Sequence, residues 1–107
     1  MNISLQDDTV RSASADATAL AAKLAALAHP ARIEILSHLA AHRSCCCGQV
    51  VKRLDLAQST VSQHLKILVA AGLVRFEADG QRSRYAVDRE ELTAISGALA
   101  TFTKSCC

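Results

Sequence analysis

With 107 residues the chain has room for one domain with a modest core, and not for two. Half of its residues are apolar, yet only three are aromatic and Ala and Leu dominate, which favours packed helices over a β-sandwich. The net charge of +2 excludes a uniformly basic surface, and no window approaches the ~18 apolar residues of a membrane span.

The polar, acidic start MNISLQDDTVR is not a signal peptide. A cytoplasmic location, no membrane partner and reduced thiols are the corresponding expectations. Residues 1–15 are predicted to be a flexible arm and residues 16–107 a single domain. From Asp16 the pattern is helical, with a stripe of Ala17, Leu20, Ala21, Leu24, Leu27 and Ala28. His29-Pro30 ends that helix, and Pro30 is well placed to open the next. There Ile33, Leu36, Leu39 and Ala40 give the buried face. After a break at His42-Arg43-Ser44, a short third helix is predicted from Cys45 to Leu54, with Val50, Val51 and Leu54 inward. Asp55-Leu56-Ala57 is a tight link into the next helix.

That helix runs from Ala57 to a glycine stop at Gly72. Gln58, Ser59 and Thr60 are expected to precede its periodic run. Val61, Leu65 and Leu68 fall on one face, at i, i+4 and i+7. The other face has Ser59, Thr60, Ser62, Gln63 and Lys66 and no acid. Hydroxyls, an amide and a lysine can touch phosphates and base edges without charge repulsion. The charge distribution agrees. From His42 to Tyr85 seven Lys or Arg stand against three acids, net +4, and the segments on either side are each −1. Positive charge concentrated on the hydroxyl-rich helix is the footprint of a nucleic-acid binder.

Leu73–Ala78 and Gln81–Val87 flank Asp79-Gly80, a strong hairpin signal. Asp88 is placed to cap a last helix, with Glu90 and Glu91 in its first turn and a stripe of Leu92, Ile95, Leu99 and Phe102. The fold class is therefore mainly α with a β-hairpin wing, a winged helix-turn-helix in the order α-α-α-α-β-β-α. The first and last helices keep apolar faces to spare, which predicts a homodimer. Its two reading helices would meet an imperfect palindrome in double-stranded operator DNA.

Three stretches, LAALAHPARIEILSHL, QSTVSQHLKILVAAGLV and GQRSRYAV, resemble the arsenic-repressor (ArsR/SmtB) family of winged-helix metalloregulators over about residues 17–90. The resemblance implies a homodimer that binds its operator as the apo protein and releases it when a metal, metalloid or oxidant reaches its ligand residues. It also implies that Ser59, Thr60, Ser62, Gln63 and His64 read DNA, while Lys66, Arg82 and Arg84 hold phosphates. Two alternatives stay open: His64 lies close to the apolar face and could be structural, and the two arginines could be solvated wing charges.

The cysteines are the candidate sensor. Cys45, Cys46 and Cys47 form a triple, and Cys106 and Cys107 a terminal pair. Adjacent cysteines make strained disulfides, so free thiols are expected. By the resemblance, a zinc site on the last helix would need histidine, and Asp88 to Cys107 has none. A cadmium or lead site would need a cysteine in the N-terminal arm, and Met1 to Ser44 has none. The arsenite type has Cys-x-Cys at positions that here are Cys46 and Gly48, so one ligand is kept and one lost. Helix residues turn about 100° apart, so a regular helix cannot aim the whole triple at one point. The terminal pair of the other subunit could complete a site.

Soft thiolates select soft acceptors, so the expected inducer is As(III) or Sb(III). Cd, Pb, Hg, Zn, an oxidant or a persulfide are alternatives through the same residues. Cysteines serving only as small apolar fillers are a further alternative. No paired carboxylates, phosphate loop or cysteine–histidine couple points to an enzyme.

Overall fold

The computed structural model describes residues 8–42 and 45–106. In chain order these form α1 (Asp8–Leu27), α2 (Pro30–Ala41), β1 (Cys45–Cys46), α3 (Cys47–Leu54), α4 (Gln58–Ala70), β2 (Val74–Asp79), β3 (Arg82–Val87) and α5 (Arg89–Ser105). No helix among them is long and apolar enough to cross a membrane.

Helix α1 begins eight residues before the expected Asp16. Its first two turns have no apolar stripe, but they have no Gly or Pro to stop a helix either. Residues 1–7 of the expected arm lie outside the described residues. His29 then caps α2. Its backbone is extended, its Nδ1 accepts the Ala31 N–H at 3.1 Å, and Pro30 follows at the first helical position. The buried face of α2 is Ile35, Leu36 and Leu39; Ile33, expected inside, is 49% exposed.

Cys45 and Cys46 do not begin a helix. They form β1, which pairs antiparallel with β3, Cys45 opposite Tyr85 and Cys46 opposite Arg84. The β2–β3 wing is thus part of a three-stranded sheet ordered β1-β3-β2, with β3 in the middle. The helical reading fails here because β3 offers an open edge whose backbone groups need partners, a demand that local sequence does not show.

Helix α3 closes with the Asp55 N–H bonded to Val51 O at 3.0 Å. Asp55 itself has φ 55°, a left-handed backbone that aspartate tolerates better than most residues. The cap of α4 is Ala57, with no side-chain bond, and Gln58, Ser59 and Thr60 form the first turn, ahead of the apolar run that starts at Val61 as expected. At the far end Gly72 has φ 82°, its N–H bonds Val69 O, and the Leu73 N–H bonds Leu68 O, both at 3.0 Å. This is a Schellman stop, and buried Leu73 turns the chain into β2.

The hairpin forms one residue later than predicted. Asp79 pairs with Arg82, so the two-residue loop is Gly80-Gln81. Gly80 has φ 65°, and a glycine of that kind at the first central position is the type II′ pattern, whose twist matches the strands. Asp88 caps α5 as expected, its carboxylate accepting the Glu91 N–H at 3.1 Å.

One core joins α1 to α5 through Ala26, Ile35, Val50, Leu65, Val87 and Ile95 among others. The far half of α5 lies beyond it: from Ser96 to Ser105 only Leu99 is half-buried, and Phe102 is 56% exposed. The radius of gyration, 16.9 Å, exceeds the ~13 Å of a compact chain this long. Lys23 of α1 pairs with Glu91 and ties α1 to the start of α5.

Candidate nucleic-acid interface and thiol segment

Complete burial of Val61, Leu65 and Leu68 fixes the rotation of α4 about its axis. Ser59, Gln63 and Lys66 are consequently exposed, and Thr60, Ser62 and His64 half-buried. The first turn of α4 has neither a capping side chain nor an acid. Its free N–H groups therefore add to the positive character of that end. An exposed face of hydroxyls, amide and lysine on a rigidly held helix can enter a major groove.

His64 is anchored more closely than the sequence suggested. Its Nδ1 accepts a hydrogen bond from Arg32 Nε at 3.2 Å, and its ring lies 4.5 Å from that of His29. Burial, then the His29 ring, then the Arg32 guanidinium hold its pKa below the usual 6.5. The sequence reading missed Arg32 and His29. Both lie in the LAALAHPARIEILSHL stretch, and nothing in its spacing shows that they meet α4.

On the wing, Arg82 is exposed and Arg84 half-buried. The register sets Glu77 opposite Arg84 and Asp79 opposite Arg82. Glu77 stands between Arg75 and the end of β2 and across from Arg84, so the attraction of that face for phosphate is smaller than the arginines alone suggest. Phe76 and Tyr85 pair on the opposite face, rings 5.5 Å apart.

The thiol candidates fall in two places. Cys45 and Cys46 lie on β1 and Cys47 opens α3, so the triple straddles a strand–helix junction. Cys106 caps α5 and is exposed and free. Cys107 and the side chains of Cys45–Cys47 lie outside the described residues. Among the described residues no group of three or more His, Cys, Asp or Glu is placed to hold a metal. The ring of His42 is engaged on its own helix, Nδ1 lying 2.8 Å from His38 O.

Residues 29–75, from the cap of α2 to β2, match the family described as bacterial regulatory protein, arsR family. The regulator YgaV of Escherichia coli K12 is 34% identical over 85 residues, covering 79% of this chain and 86% of its own. The chain belongs to the arsR family. This arsR-family chain is also 34% identical over 73 residues to the arsenical resistance operon repressor of Bacillus subtilis, covering 68% and 70% of the two chains. In three dimensions it is similar to an ArsR-like transcriptional regulator from Rhodococcus sp. RHA1, with a TM-score of 0.77, 27% identity and 85% of each chain covered. Members of the arsR family are DNA-binding transcriptional regulators, not enzymes.

Proposed function

We propose that this arsR-family regulator is a homodimeric repressor that releases its operator when trivalent arsenic or antimony binds its cysteine thiolates. Ser59, Thr60, Ser62, Gln63 and His64 contact bases, and Lys66, Arg82 and Arg84 hold phosphates. The uncovered length of α5, with Phe102 on it, supports dimerisation through the terminal helices.

The observation that favours a thiol switch is the backbone position of the triple. Cys45 and Cys46 are hydrogen-bonded to the strand that bears Tyr85 and Arg84, and Cys47 begins the helix that leads through Asp55 into α4. A ligand that changes the backbone at this junction acts on the wing by the β1–β3 pairing and on the reading helix by α3. Those are the two DNA-contacting parts, so one event can alter both. Cys106 and Cys107 from a second copy of the chain complete the thiolate set.

The test is fluorescence anisotropy of reduced protein on operator DNA, titrated with arsenite, antimonite, cadmium, lead, mercury, zinc and a persulfide donor. Release by near-stoichiometric arsenite or antimonite, lost when Cys45, Cys46 and Cys47 are changed to Ser, is expected. Release by the persulfide alone would make the same cysteines a redox switch, which the exposed thiol of Cys106 would suit.

A further inference from the structure

We infer that Arg32 is a positioning residue for the reading helix: it fixes the His64 ring in its Nε2–H form, so that His64 offers DNA a neutral hydrogen-bond donor. The inference rests on the reading of α4 as the DNA-contacting helix. A guanidinium has only donors, at any working pH. The His64 nitrogen that accepts from Arg32 Nε must therefore be the bare one. That nitrogen is Nδ1, at 3.2 Å. A neutral imidazole with a bare Nδ1 has its proton on Nε2.

Arg32 cannot simply turn to follow the ring. Its Nη1 donates to Ala25 O at 3.3 Å and Ala26 O at 3.2 Å, carbonyls in the last turn of α1. Ala25 O also accepts the Ala28 N–H at 3.1 Å, and the last carbonyls of a helix carry its negative partial charge, so a guanidinium there is held by charge and by hydrogen bonds. On another side of His64 stands the ring of His29, itself fixed as the cap of α2. The end of α1, the start of α2 and the middle of α4 thus converge on one imidazole. The groups that bear on its charge are His29 and Arg32, both of which oppose protonation.

The form of the ring matters for what it can recognise. An imidazolium would attract phosphates without regard to sequence. A neutral N–H held at one angle selects an acceptor by geometry. In the major groove those acceptors are guanine O6 and N7, adenine N7 and thymine O4. Arg32 touches no DNA in this scheme; it acts through His64.

The experiment has two parts. The first records imidazole 15N–1H correlations of the full-length protein across pH. Wild type should show His64 as a single Nε2–H form that titrates below an ordinary histidine. Arg32→Ala should mix the two neutral forms and raise the titration, and Arg32→Lys, which keeps a donor, should restore most of the wild-type behaviour. The second measures anisotropy on a duplex selected from a random pool by the wild-type protein, beside a scrambled duplex. Arg32→Ala should weaken the selected duplex about 3- to 10-fold, the worth of one hydrogen bond, and leave the scrambled duplex unchanged. With Arg32 intact, His64→Gln keeps an N–H near the Nε2 position and should bind better than His64→Asn, so the inference stays testable if Arg32→Ala folds poorly.

An Nδ1–H form in wild type, or equal losses on both duplexes, would overturn the inference. A wild type that selects no duplex would instead remove the DNA reading of α4, and the DNA part of the inference with it, while the ring form would still be decided by the first measurement.

Discussion

Two alanine substitutions, Gly72→Ala and Gly97→Ala, should move stability in opposite directions. At Gly72 the nearest atom to an added Cβ is Glu91 Cγ at 4.0 Å, an ordinary contact, so there is no steric cost. The cost comes from φ 82°, which a side chain disfavours by about 1–2 kcal/mol. At Gly97, within α5, nothing lies within 4 Å of an added Cβ and φ is not positive. There alanine should add about 0.5–1 kcal/mol, because glycine loses more backbone freedom on entering a helix. Urea denaturation at a fixed protomer concentration measures both, with the slope unchanged and only the midpoint moving. A neutral or stabilising Gly72→Ala would refute the left-handed Schellman stop. A loss at Gly97 would show that this surface of α5 is occupied, at the close approach of another helix.

Leu65→Ala should cost about 2–5 kcal/mol in the same assay, because Leu65 is fully buried at the centre of the core. Glu77→Gln should tighten DNA binding and steepen its salt dependence, since it removes the acid opposite Arg84; unchanged binding would place the wing away from the duplex. His64 has a lowered pKa in the folded state, so the unfolded chain takes up its proton first. Stability should therefore be complete above pH 6.5 and fall as the pH drops below it. The difference between wild-type and His64→Gln stability curves isolates this contribution, and parallel curves would contradict it.

Much of this was legible in the sequence because local rules coincided. Val61, Leu65 and Leu68 mark a buried face whatever surrounds them, Gly72 follows directly on the last periodic residues where a glycine stop belongs, and Asp88 with Glu90 and Glu91 announces a cap. The failures share a cause. β1 exists because β3 has an open edge, a demand set some forty residues further along the chain. Ile33 and Ile35 exchange places because the rotation of α2 is decided by its neighbours, not by its own pattern. The turn slips from Asp79-Gly80 to Gly80-Gln81 because cross-strand pairs such as Phe76 with Tyr85 choose the register. Arg32 escaped notice because a guanidinium that bonds carbonyls and a ring leaves no periodic trace.

The wing is closed at its base by the Asp88 N–H on Leu73 O at 2.9 Å, while at its tip nothing lies within 4 Å of a Cβ built on Gly80. Length is therefore decoupled from support. Inserting one residue on each side of the tip would extend the ribbon by about 3.4 Å without moving α4 or α5. Reach along a duplex could then diverge between related regulators while the core, and the thiol junction pinned to the middle of β3, stayed the same.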